Sequence, residues 1–396
     1  MRFAVLMYPF GAMGGYLTVA LAYELAQNGV ATEAIGALIA VSLIPNTWRF
    51  LWAPVLDITL SPRIWYTWSS VASALSIIAL SLIPENNGAL VLMGVLIFIG
   101  NVVITFNSMG VDIIAAASSP PEQKGRFGGW LQAGNLAGGG VGGGLALWIA
   151  QNTPYHWIAG AVVGASFLLC PLALVGLPSM ARTHAGEDVF KRVGEVARDS
   201  WALARSRAGA LAILVLFLPL GSGAASNLWS AIADDWTATA NTVALVNGTI
   251  GGLVSGVGCL IGGYLCDRMD RKWSYALFGL LQAACAAAMA YAPHTESMYI
   301  CFTMLYALIA GLCYAAFCSL TLEIIGVGSA ATQYNLLACL SNMPIQYMTL
   351  IVGRAHTLWG ASGMLYTEAI IATAGAGVYA GVRYLTVRRT LAPVIA

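Results

Sequence analysis

The sequence predicts an all-α membrane protein of twelve transmembrane helices, arranged as two parallel six-helix repeats. Three observations carry this. Charged residues make up 9% and hydrophobic residues 59% of the 396, far from the balance of a soluble chain. The apolar residues gather into twelve runs of roughly 20 to 28 residues, each long enough to cross a bilayer. Landmarks of the first half recur in the second at an offset of 210 or 211.

In order, the runs cover about 3–25, 33–56, 64–83, 89–117, 126–150, 156–178, 208–233, 242–266, 273–292, 297–325, 331–353 and 361–385. The N-terminus has one arginine and enters the first run directly, without a small-residue cleavage site, so it reads as a retained span. Lysine and arginine set the orientation. Arg63 follows span 2, Lys124 and Arg126 follow span 4, and Arg268, Arg271 and Lys272 follow span 8. Arg383, Arg388 and Arg389 stand in the tail. The alternate turns carry no lysine or arginine, so both termini and the middle loop are expected on the cytoplasmic side. Arg49, inside span 2, and Arg354, at the outer end of span 11, stand apart from this pattern.

The only extended polar stretch divides the chain into a first half at 1–179, a cytoplasmic linker at 180–207 and a second half at 208–396. In the linker, Val189, Val193, Val196, Ala197 and Trp201 fall near helical spacing among basic residues. They read as a short amphipathic helix on the inner leaflet, or as a plain solvated linker.

The repeat aligns Pro9-Phe10-Gly11 with Pro219-Leu220-Gly221, Asp57 with Asp267, Asp112-Ile113-Ile114 with Glu323-Ile324-Ile325, and Gln132 with Asn342. A constant offset means two halves of the same direction, related by an axis along the membrane normal, with a site between them near the midplane. Pro9 and Pro219 lie inside spans 1 and 7 and should kink both.

Several function classes fall away. A net charge of +1 gives no footprint for nucleic acid. The eight cysteines lie in or beside apolar runs without a CxxC pair and read as packing thiols. The four histidines all stand in turns, and neither HExxH nor GxxxxGK[ST] occurs. Neither an enzyme nor a bound cofactor or metal is expected.

Gly263-Tyr264-Leu265-Cys266-Asp267-Arg268-Met269-Asp270-Arg271-Lys272 resembles the inner-turn motif G-x-L-x-D-R-x-G-R-[RK] of the major facilitator superfamily, with Asp270 in place of the second glycine. Its aspartate is read as a latch that caps or pairs across the half interface, with Arg268 and Arg271 holding the inner face. Phe50-Leu51-Trp52-Ala53-Pro54-Val55-Leu56-Asp57 and Pro120-Pro121-Glu122-Gln123-Lys124-Gly125 resemble AmpG-type permeases, a group of muropeptide permeases, acetyl-CoA transporters and some siderophore importers. The resemblance implies a bacterial inner-membrane carrier. Where that group shows Q-D-x-x-x-D on span 4, this chain has Asn107-Ser108-Met109-Gly110-Val111-Asp112, so only the second acid is present. The muropeptide permeases carry further spans, so the resemblance points to the group more than to that one solute.

Arg49 is the first candidate for the solute, since an arginine at that depth costs something like 3 kcal/mol on insertion scales and needs a partner or a wet cavity. Asp112 is its expected partner by depth, either as a protonation site released by an anionic solute or in a permanent structural pair. Gln132 and Asn342 offer amides across the axis, or bond helix to helix. Tyr16 and Trp52 complete the substrate candidates. Trp48, Trp130, Trp229, Asn107, Asn135, Asn227 and Gln346 are weaker ones. Asp112, Glu323, Asp57, Asp267, Arg268 and Arg271 are the coupling and gating candidates. Glu24 and Glu368 read as interfacial acids or, alternatively, as protonation sites. The glycines of span 5 resemble an antiporter motif, but Gly139 stands where that motif has proline, so they read as packing.

The expected function is import of a polar or anionic organic solute, muropeptide-, siderophore- or acyl-CoA-like, by alternating access coupled to protons. A proton-driven exporter of the same fold is the alternative. Its partners would be the solute, protons and the lipid bilayer, and a monomer is expected.

Overall fold

In the computed structural model the predicted spans are helical. The structure describes residues 1–30, 32–84, 87–155, 157–177, 194, 198, 201–202, 204–239, 242–243, 245–324 and 330–391, and no strand occurs among them. Span 1 is α1 (Arg2–Gly15), a π-helical turn at Tyr16–Leu21 and α2 (Ala22–Gln27). Span 2 is α3 (Thr32–Trp48), a 3-10 turn at Arg49–Leu51 and α4 (Ala53–Ile58). Spans 3, 4 and 5 are α5 (Pro62–Ser81), α6 (Leu90–Ser118) and α7 (Lys124–Asn152), and span 6 is α8 (Trp157–Leu169) with the turn Cys170–Leu174.

The second half opens with α9 (Arg207–Phe217), followed by a 3-10 turn at Ala224–Leu228 and α10 (Trp229–Ile232). Span 8 joins a π-helical turn at Leu245–Ile250 to α11 (Gly251–Cys266), and spans 9 and 10 are α12 (Arg271–Tyr291) and α13 (Glu296–Ile324). Spans 11 and 12 share α14 (Ala330–Leu391), which breaks at Gly360, where φ is +69° and a side chain would be strained.

Among the described residues, eight stretches are long and apolar enough to cross a membrane, the last of them, Leu336–Val382, carrying two spans. Spans 2, 5 and 7 fall short for separate reasons. Span 2 breaks at Arg49, glycine dilutes the hydropathy of span 5, and span 7 breaks after Phe217. Large apolar side chains such as Trp68, Leu75, Val91, Leu172, Leu350 and Ile370 stand exposed on the bundle's outer surface, where lipid would cover them.

Local chemistry explains the ends. Ser61 caps α5 by accepting from the Ile64 N–H, with Pro62 in the first turn where its missing N–H costs nothing. Asp270, the motif's substitute for glycine, caps α12 by accepting from the Trp273 N–H at 3.0 Å. Most of the predicted linker helix lies outside the described residues. Of its apolar positions Trp201 is described, exposed, with the Arg205 guanidinium 5.1 Å above its ring.

The two halves meet along α7. One of its faces packs on α1 of its own half, the other on α11 and α13 of the second half, while α14 closes against α4 and α6. Gly134, Gly138 and Gly142, four apart, face α1. Gly129 faces α11 so closely that a Cβ there would lie 2.6 Å from the Cys259 carbonyl oxygen.

Candidate functional site

Arg49 reaches the interior because span 2 is not one helix. Pro54 has no N–H for the Phe50 carbonyl, so the α-helical ladder cannot run through, and the chain tightens into the 3-10 turn Arg49–Leu51 before α4 restarts. The apolar run 33–56 predicts one continuous span, and Pro54 is the residue that signals the break. The broken segment lines a cavity, the place where irregular backbone is tolerated at membrane depth.

That cavity encloses about 310 Å³ between the halves. Arg49, Asp112 and Gln132 line it from spans 2, 4 and 5, and Asn342 from span 11. Tyr275 and Tyr314 form part of its far wall, from spans 9 and 10. Four residues singled out separately in the sequence therefore converge on one space. Arg49 is 8% exposed and Asp112 1%. Neither oxygen of Asp112 has a hydrogen-bond partner, nor has Nε of Arg49, and no ion pair joins them among the described residues. The expected pair shares a cavity without forming a salt bridge. Asn135, a weaker candidate, donates from Nδ2 to Gln132 Oε1 at 3.2 Å and so orients the Gln132 amide.

Tyr16 and Trp52 are placed elsewhere. Tyr16 is fully buried in the apolar core of the first half, in one cluster with Ala12, Met13 and Leu17, its hydroxyl beside Gly160 of span 6. Trp52 donates from Nε1 to Thr105 Oγ1 at 2.9 Å and packs on Met109, joining span 2 to span 4.

A second charge cluster closes the face that carries the basic turns. Asp267 accepts from the Gly125 and Arg126 N–H groups at 2.7 and 3.1 Å, capping the first turn of α7, a helix of the opposite half. Arg126 Nε adds an ion pair to Asp267 at 3.0 Å. Arg271 pairs with Glu323 at 2.7 Å and donates to the Pro121 carbonyl at 2.6 Å. Lys124 donates to the Leu322 carbonyl at 2.5 Å. Arg268 takes no part in this latch and stacks 3.9 Å over the Tyr264 ring. The Asp57 side chain lies outside the described residues. Glu323 sits in the latch and not at the depth of Asp112, so the two acids aligned by the repeat occupy different levels.

A second cavity of about 430 Å³ shares Asn135 and Tyr314 with the first. It extends away from the latch toward Thr18 and Val246, and both π-helical turns border it. Tyr306 and Trp229 stand in its wall. Behind Tyr306 lies Glu368, 3% exposed and so buried within the second half. Pro9 leaves α1 helical, whereas span 7 opens at Pro219 into a stretch with positive φ at Gly221 and Gly223. The two prolines thus differ: Pro9 sits inside α1, and Pro219 at a break.

The sequence model of the Major Facilitator Superfamily matches residues 3–365. The chain belongs to that superfamily. This facilitator is 27% identical over 323 residues to the anhydromuropeptide permease of Escherichia coli strain K12, and equally to that of Escherichia coli O157:H7. The alignment covers 77% of this chain and 64% of each permease, so the chain spans under two thirds of the length of the curated relatives it matches. Among solved structures, the fold is similar to the human organic anion transporter MFSD10 (TETRAN) at a TM-score of 0.73 and 14% identity, covering 96% of this chain and 97% of that one. The proton:xylose symporter XylE matches at 0.68 and 14%, over 95% and 94%. A bacterial homologue of the iron transporter ferroportin, in an outward-facing state, matches at 0.63 and 16%, over 96% and 97%. The facilitator thus has the multi-pass membrane fold of that superfamily.

Proposed function

We propose that this facilitator imports a polar or anionic organic solute into the cytoplasm by alternating access, coupled to protons. The observation that supports it is the convergence of Arg49, Asp112, Gln132 and Asn342, from both halves, on one buried cavity. Arg49 meets an acidic group of the solute, and the amides of Gln132 and Asn342 supply donors and acceptors to its polar atoms. Asp112 takes the coupling proton once the solute's acid occupies Arg49. One proton moving down about 150 mV releases roughly 3.5 kcal/mol, enough for a gradient of about 400-fold. The basic turns support an orientation in a bacterial inner membrane with the latched face and both termini toward the cytoplasm. The described conformation then opens its cavities outward, over a closed inner gate. The two cavities together offer the room that drug-sized ligands use. Muropeptide-like solutes come first because of the permease relatives, with siderophore- and acyl-CoA-like solutes next. The protein works as a monomer.

Uptake into proteoliposomes under an imposed inward proton gradient tests this, with an anhydromuropeptide, an iron-loaded siderophore and acetyl-CoA as probes. The proposal expects gradient-dependent uptake of one of them that is lost in Arg49→Ala and Asp112→Asn. Expulsion of the same probe when the gradient is reversed, without uptake, would identify an exporter and overturn the proposal.

A further inference from the structure

Glu368 has surroundings that neither the solute cavity nor the latch explains. Its Oε1 accepts from the Tyr306 hydroxyl at 2.7 Å and from the Ala225 N–H at 3.4 Å. Its Oε2 is buried without a hydrogen-bond partner. Four elements surround it. Span 12 carries it, α13 presents the Tyr306 hydroxyl, α12 presents the Cys285 thiol, and the turn Ala224–Leu228 presents backbone N–H. Those are the titratable groups that face it, and no lysine, arginine or histidine forms an ion pair with it among the described residues.

Two further features give this carboxyl a route and a lever. Tyr306 lines the 430 Å³ cavity together with Trp229, whose ring meets it edge-on at 5.1 Å, so Glu368 lies one hydrogen bond behind the cavity wall. Ala225 belongs to the segment where span 7 restarts after its break, so the same carboxyl holds the discontinuous span against spans 10 and 12. An intramembrane acid without a cation is costly, and such acids mark proton paths in carriers. Discontinuous spans are where carriers of this kind bind and move.

We propose that Glu368 is a proton-binding site of the second half, loaded from the outer cavity through Tyr306, which sets how tightly the broken span 7 is held. Tyr306 passes its hydroxyl proton to Oε1 and takes one in its place from a hydronium ion in that cavity, which is left as water. The ionised form holds Tyr306 and Ala225 through charge-assisted bonds, and the neutral form holds them about half as strongly. Protonation therefore loosens span 7. The site lies in a different half and a different cavity from Asp112, so it does not rest on the solute assignment.

Infrared difference spectra of the purified full-length protein, taken across pH without any solute, test this directly. The expected result is a protonated-carboxyl band that disappears in Glu368→Gln and stays in Asp112→Asn. In Tyr306→Phe its titration is displaced by about one pH unit, the worth of one hydrogen bond to a carboxylate. Spectra of wild type and Glu368→Gln that superimpose at every pH would overturn the proposal. Should Glu368→Gln fail to fold, Tyr306→Phe decides. A displaced titration supports the site, and an unmoved one overturns it.

Discussion

The facilitator carries two clusters of charge between its halves, and they are built in opposite ways. At the basic face, Asp267 and Arg126 pair across the interface, Arg271 reaches the Pro121 carbonyl across it while pairing with Glu323 of its own half, and two backbone N–H groups of α7 complete the Asp267 shell. In the cavity, Arg49 and Asp112 are more deeply buried yet share no salt bridge, and both Asp112 oxygens lack partners. A latch needs its charges satisfied in the state it stabilises. A binding site needs groups that a solute or a proton can still satisfy. The sequence already sets the two clusters at different depths, Asp267 at an inner turn and Arg49 inside span 2, and partner count separates their roles.

The sharpest way to break this contrast is Arg49→Ala. Removing this cavity cation should cost about 100-fold in uptake, the equivalent of roughly 2.7 kcal/mol at the solute. The melting temperature should change little, because among the described residues Arg49 has no salt bridge to lose, only its longer-range attraction to Asp112. Uptake and melting temperature measured on one preparation check both statements.

Next in size is Gly263→Val. A Cβ at this position would lie 2.5 Å from the Gly125 carbonyl oxygen and 2.9 Å from Gly129 Cα, so the branched side chain wedges α7 from α11 at the latch. The expected penalty on the closed basic face is about 2 kcal/mol. It should appear as a longer distance between spin labels at Glu122→Cys and Met269→Cys, both exposed positions there, in a Cys301→Ser background.

Asp267→Asn should act in the same direction but less strongly. It keeps the shape and removes the charge that caps α7 and pairs with Arg126. A shift of about tenfold toward the open basic face follows from losing roughly 1.4 kcal/mol of capping and pairing. The same spin-label distances report it. Smallest is Arg268→Gln, which loses only a stacking contact with Tyr264 worth about 0.5 to 1 kcal/mol at an exposed site. Uptake and label distances should both stay at wild-type values, although Arg268 stands beside Asp267 in the motif.

The sequence made the spans and the cavity quartet readable for one physical reason. In a chain this apolar, each polar residue at depth is costly, so Arg49, Asp112, Gln132 and Asn342 stood out as individuals. The latch was readable because Asp267 and Arg271 sit in a motif with a stated register. What stayed hidden depends on backbone geometry that hydropathy does not encode. Pro54 and Pro219 were visible, but whether a proline bends a span or breaks it depends on what packs beside it. Glu323 aligned with Asp112 at the repeat offset, yet one lies in the latch and the other in the cavity, because sequence offsets count loop residues while membrane depth does not. Trp52 and Tyr16 looked like cavity walls and instead pack within the first half. The burial of Glu368 stayed hidden because it depends on Tyr306 and the Ala224–Leu228 turn, which pack on it from other spans.

The measurement that tests the central claim most directly is equilibrium binding of an anhydromuropeptide to purified protein, compared between Arg49→Ala and Arg271→Ala. One variant empties the cavity of its cation, and the other empties the latch. The account predicts binding that falls about 100-fold in Arg49→Ala and changes by less than about tenfold in Arg271→Ala. Binding that survives Arg49→Ala and collapses in Arg271→Ala would place the solute at the basic face and contradict it.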